Sequence, residues 1–169
     1  MRACQAESHS TVVPAQTTRK AEPILAAYKE TLPGVPEQVG HARDQAAIYL
    51  GGYKSSVVSD AQLIVSELTT NAITHSSSKG KYFTVCITGH ITYIHIQVTD
   101  LGGLWAGKEV TDELHDHFHG LVLVRALSYD MGITEEDDEG HRTVWARVHV
   151  PALAKAFKGC TRRACNALS

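Results

Sequence analysis

Three stretches of this chain alternate apolar and polar residues with a period of two, and nothing else in the sequence constrains the fold as much. In KYFTVCIT, Phe83, Val85 and Ile87 share one face; in ITYIHIQVTD, Ile94, Ile96 and Val98 do so. In RTVWARVHV, Val144, Ala146, Val148 and Val150 repeat the pattern before Pro151 closes the run. Such alternation marks strands with one covered face and one polar face, an antiparallel arrangement. Gly89-His90, between the first two runs, suits a tight hairpin. Two helices are expected upstream. Val39, Ala42, Ala46 and Leu50 have helical spacing, with Pro36 suited to the first turn and Gly51-Gly52 as the stop. The second runs from about Val58 to Ser76, with Ser59 as N-cap, Gln62 three residues on, and a Ser/Gly-rich end. A short, densely apolar helix, GLVLVRALSYDMG, enters from Gly120, and EEDDEG reads as a solvated hairpin turn. The order is helix, helix, two strands, loop, helix, two strands. It lacks the β-α-β-α rhythm of a Rossmann or P-loop sheet. The expected fold is an α/β two-layer sandwich: a mixed, mostly antiparallel sheet with helices packed on one face.

The 169 residues fit one domain plus loose ends, and 43% hydrophobic content is ordinary for a globular core. Residues 1–31 read as a flexible arm, Ser/Thr/Gln-rich at its start, residues 32–151 as the domain, and 152–169 as a basic tail. A net charge of −2 gives no footprint for nucleic acid or an anionic membrane. No run of about 18 apolar residues exists to span a bilayer. The N-terminus lacks an apolar segment after its early Arg, so it is not a secretory signal, and the expected location is cytoplasmic. Cys4, Cys86, Cys160 and Cys165 are too scattered for a disulfide framework, and C-x4-C lacks the partner pair of a zinc site.

Chemistry concentrates in SELTTNAITH. Glu67, Asn71 and His75 recur at i, i+4 and i+8, which puts them on one polar stripe of the second helix. With Glu67 at zero, Asn71 falls at about 40° and His75 at about 80°, while Ala61, Ile64, Val65, Leu68 and Ala72 fall at about 60–160°. The stripe therefore borders the core-facing arc. A carboxylate and a carboxamide beside the core need a partner. That partner is a metal ion or phosphate, another buried polar group, or water along a solvated flank. The run from Leu101 to His119 has no periodicity and is long, polar and glycine-bearing, as functional loops are.

Taken in order, SELTTNAITHS, VTDLGGL, HGLVLVRALS and GHRTVWARV resemble the Bergerat-fold ATP-binding superfamily, which includes gyrase, Hsp90, sensor histidine kinases and MutL. The likeness covers roughly Leu32 to Pro151 and is nearest to the small bacterial anti-sigma-factor serine/threonine kinases. The resemblance implies ATP and Mg2+ as cofactors. Asn71 becomes the magnesium ligand, a hard oxygen donor suited to an ion that keeps several waters. Glu67 becomes the general base acting on the attacking hydroxyl. His75 either orients phosphates or lid, or bonds backbone at the helix end. Asp100 accepts a hydrogen bond from the adenine amino group, with Gly102 and Gly103 letting backbone pass close to the nucleotide. Leu101–His119 maps onto the ATP lid, and His119, Gly120 and Leu121 begin a helix whose N-terminal amides face the phosphates. Thr143 matches a Thr whose hydroxyl joins a water near adenine. The resemblance further implies a homodimer that binds a sigma factor and phosphorylates an anti-sigma-factor antagonist, with no direct contact to nucleic acid or membrane.

The sequence departs from the family at Phe118-His119-Gly120, where G-x-G is usual; phenylalanine adds bulk and resists positive φ. A module that docks partners without turnover is the alternative this departure favours. His115, His117 and His119 with Asp112 and Asp116 also form an H-x-H-x-H cluster, read as a solvated lid because catalytic zinc spacing is absent. Trp105 pins that loop or stacks on a partner.

Overall fold

The computed structural model describes residues 22–103, 119–134 and 140–151. Five strands and three helices follow in the order β1 (Ala26–Pro33), α1 (Glu37–Tyr49), α2 (Ser55–Thr74), β2 (Tyr82–Gly89), β3 (Tyr93–Asp100), α3 (His119–Leu127), β4 (Asp130–Thr134) and β5 (Arg142–His149). The strands form one sheet in the order β1-β2-β3-β5-β4, every described pair antiparallel. The helices cover one side, as the alternating runs required: Phe83, Val85, Ile87, Ile94, Ile96, Val98, Val144, Ala146, Val148 and Val150 are all buried beneath them. Helix α2 lies at the centre of that layer, packed on α1, α3, β2, β3 and β5.

Four local details differ from the sequence expectation, each for a packing reason. Strand β1 occupies residues assigned to the arm, so the boundary at residue 31 falls inside the sheet. Its inward positions are Tyr28, Glu30 and Leu32, and the polar middle one hides the alternation. Glu30 is held there by the Tyr28 hydroxyl and by His41 of α1, whose Nε2 lies 3.0 Å away. Helix α2 begins one turn before Ser59, at Ser55, with Lys54 at the cap and no side-chain cap bond. Burial of Val57, which extends the apolar arc backwards, decides that start in place of capping chemistry. Helix α3 stops at Leu127, and the residues that follow enter the sheet through Tyr129 N–H donating to Arg147 O. The hairpin loop is His90–Thr92, and Gly89 pairs with Ile94 inside the strands.

That last shift has a clear cause. The hydroxyl end of the Tyr53 ring, between α1 and α2, lies against Gly89, and the hydroxyl donates to His90 O at 2.9 Å. A Cβ at Gly89 would come within 2.4 Å of the Tyr53 oxygen. Burial pushes the Tyr53 phenol up to about 12, so it stays a donor across the physiological range.

Two predictions follow from these contacts. Gly89→Ala overpacks the Tyr53 site and is expected to cost about 1–3 kcal/mol, read as a lower urea midpoint at unchanged m. An unchanged midpoint would contradict the packing described. The hydrogen bonds from Tyr28 and His41 hold the Glu30 carboxyl below its ordinary value of 4.5. A lowered folded value means the contribution is present above 4.5 and is lost as the pH falls through the folded value. Glu30→Gln should therefore flatten part of the fall in thermal midpoint between about pH 5 and about pH 3.

Candidate functional site

Where α2, α3 and the ends of β3 and β5 converge, the helix layer leaves a concavity. Its volume is about 10 Å3, room for roughly one water. Helix α2 contributes Asn71 and His75, β3 contributes Asp100, α3 contributes Leu121, and β5 contributes Arg142. Leu68, Ala72, Val98 and Val144 supply the apolar walls. The polar stripe of α2 thus meets the strand-end carboxylate around one cavity.

Asn71 brings an unmet donor to this cavity. Its carboxamide nitrogen is buried without a hydrogen-bond partner, a state that native structures rarely leave unexplained. Turning the amide offers the oxygen to the same space instead. A group with this reach and no protein partner fits a hydrated cation or a phosphate oxygen. One turn earlier, Glu67 turns toward α3. A Cβ at Gly120 would stand 2.3 Å from Glu67 Oε2, so the carboxylate rests against the first turn of that helix and only glycine fits opposite it. A carboxylate there also meets the positive end of the helix dipole. His75 lines the cavity from an exposed position as the C-cap of α2, its N–H donating to Asn71 O.

Asp100 is 3% exposed and held at both oxygens. Gly102 N–H donates to Oδ1 at 2.8 Å, and Arg142 Nη2 donates to Oδ2 at 2.8 Å. Arg142 is itself 5% exposed and sits directly across the β3–β5 ladder from Asp100. The chain leaves β3 through Gly102 and Gly103 at φ of 56° and 119°. A serine loop braces this exit: Ser77 N–H donates to Gly102 O at 2.7 Å, and Leu101 N–H donates to the buried Ser78 Oγ at 3.0 Å. Gly103 lies so close to Ser77 that a Cβ would be 2.8 Å from its hydroxyl.

Of the residues singled out in the sequence, the structure gathers Asn71, His75, Asp100, Gly102 and Leu121 at the cavity, with Glu67 and Gly120 packed together beside it. Thr143 is a correction. It points to the opposite face of the sheet, where its hydroxyl lies 2.8 Å from that of Thr99. The β5 residue that faces the cavity is Arg142, one position earlier. Extending the alternation of Val144, Ala146 and Val148 back by two would have found it. The serine loop, read only as a helix end, was missed as a brace, and no local signal marks it. His119 opens α3, while residues 104–118, which include Trp105, the other lid histidines and Phe118, lie outside the described residues. Among the described residues, no three His, Cys, Asp or Glu side chains cluster for a metal, and no helix is long and apolar enough to cross a membrane.

An antiparallel five-stranded sheet with helices on one side and a cavity at the strand ends is an α/β sandwich consistent with the GHKL ATPase fold. The sequence profile of the histidine kinase-like ATPase domain matches residues 32–148, and the chain belongs to that family. No curated protein matches the sequence. Membership supports ATP as the ligand and an ATP-dependent kinase or ATPase activity.

The ion pair can be tested without any ligand. Asp100→Asn keeps the shape but leaves a buried guanidinium facing a neutral amide, and such breaks typically cost about 3–5 kcal/mol. Chemical denaturation of the variant is expected to show a loss of that order; a change of a few tenths would show that the pair does not carry the strand ends.

Proposed function

We propose that this protein is an ATP-dependent serine/threonine kinase of the anti-sigma-factor type, acting in partner switching. The observation that carries the reading is the unmet Asn71 amide in a cavity whose far wall is the Asp100 carboxylate, with Glu67 one helical turn away. Family membership supports the nucleotide; the choice of a protein hydroxyl as acceptor is our inference from the sequence resemblance.

In this reading Asp100 accepts a hydrogen bond from the adenine amino group, and the phosphates lie toward α3, whose first N–H groups have no intrahelical acceptor. Asn71 would hold magnesium through its carboxamide oxygen; the bound ion supplies positive charge to the triphosphate oxygens. Glu67 takes the proton of the incoming Ser or Thr hydroxyl. That oxygen bonds to the γ-phosphorus as the bond to the β-phosphate oxygen breaks, and ADP leaves. The partners proposed are a sigma factor, which the protein sequesters, and an anti-sigma-factor antagonist, which it phosphorylates. The protein acts as a cytoplasmic homodimer without touching nucleic acid or membrane.

A second reading, a module that regulates by docking alone, draws on the small cavity volume of about 10 Å3, room for roughly one water. Thermal shift separates the two. Ligand linkage predicts about 2.7 kcal/mol of stabilisation at a hundredfold excess of MgATP or MgADP over Kd. Asn71→Ala is expected to lose the magnesium-dependent part. Glu67→Ala should keep nucleotide binding and lose transfer by about 10²–10⁴-fold. No shift for the natural chain would retire the kinase reading; a shift without transfer, with both partners supplied, would establish docking alone.

A further inference from the structure

Arg142 stands where the core pattern calls for an apolar side chain. Positions 144, 146 and 148 of β5 point inward as Val, Ala and Val, and the same period puts the guanidinium inward at 142. Removing that charge from water costs several kcal/mol, offset here by Asp100 across the ladder. A well-packed apolar pair at such a place is often as stable or more so, so stability alone gives little reason for the ion pair. Its position gives one: both residues line the cavity.

The two groups have opposite hydrogen-bonding character. An ionised carboxylate only accepts, and has about four lone-pair sites; a guanidinium only donates, through five N–H groups in a rigid planar fork. Side by side on neighbouring strands, they present an acceptor next to a donor. The edge of adenine presents the complement, a 6-amino donor next to the N1 acceptor. Guanine and hypoxanthine present the reverse, an O6 acceptor next to an N1–H donor, so both contacts become unfavourable.

We propose that Arg142 is a specificity-determining residue that donates to N1 of adenine while Asp100, which it positions, accepts from the 6-amino group. The proposal rests on the nucleotide reading above and deepens it. It also accounts for Thr143: the hydroxyl expected to serve this part of the base faces the other side of the sheet, and Arg142 takes its place.

The test compares ADP with 1-deaza-ADP, in which N1 is replaced by C–H, and with IDP, by titration calorimetry on the full chain with magnesium and no partner protein. The natural protein is expected to bind 1-deaza-ADP about ten- to a hundredfold more weakly than ADP, the range for a hydrogen bond to a charged donor, and to bind IDP more weakly still. In Arg142→Met the 1-deaza penalty disappears. Arg142→Lys, which keeps a charge opposite Asp100 but has no second arm, is the variant to use if the methionine form does not fold, and its penalty should also fall. Equal binding of ADP and 1-deaza-ADP by the natural chain overturns the proposal while leaving the nucleotide reading intact. A penalty unchanged in a folded Arg142 variant overturns it too, because another group would then be reading N1. Failure of the natural chain to bind ADP at all removes the nucleotide reading, and this proposal with it.

Discussion

Helix α2 must bury one arc of its surface against the sheet, and the rest of the molecule is arranged around that requirement. Val57, Ala61, Ile64, Val65, Leu68, Thr69, Ala72 and Ile73 are all buried, and α2 touches both other helices and the three central strands. Each large apolar side chain in that set is worth about 1.5–3 kcal/mol relative to exposure, so rotating the helix about its axis is costly. Because Glu67, Asn71 and His75 border the arc, seating it also aims Asn71 into the cavity and turns Glu67 toward α3. Core packing and presentation of the polar stripe are therefore one geometric event.

The sheet supplies the opposite wall by a different means. Register in a one-sided sheet is strongly determined, since a slip of one residue would send every inward side chain outward. Here register sets Asp100 opposite Arg142 and sends Thr99 and Thr143 to the far face together. The turn after β3 then closes on the carboxylate through Gly102, and the serine loop after α2 fixes that turn from behind. The strand-end acid is held directly by Gly102 and Arg142, with the serine loop bracing the turn, which makes it a fixed point against which a ligand's position is defined.

Much of this was legible in the sequence because it depends on short-range periodicity. Period two in three runs dictated inward faces that the structure reproduces residue for residue, and period 3.6 put the stripe beside the core. Apart from Arg142, which the alternation of β5 already turns inward, the misses share a cause, in that each depends on contacts between residues far apart in the chain. Strand β1 was hidden because its middle inward position is Glu30, a half-buried carboxylate that bonds His41 of α1 and the Tyr28 hydroxyl. The start of α2 followed burial of Val57 over the capping residue, and the hairpin yielded to Tyr53.

The sequence by itself determined the layers, the antiparallel sheet and the α2 residues that reach the site, since side-chain direction along a helix or strand is fixed by backbone geometry. The alternation of β5 already turns Arg142 inward with Val144, but tertiary structure alone decided that it meets Asp100, because that pairing is made by cross-strand register and by burial of an ion pair, neither of which is written in local pattern. An arginine in an alternating run reads as a charge at a strand's start until its partner across the ladder is known. The same holds for Gly120, whose missing Cβ matters only once α3 is laid against Glu67.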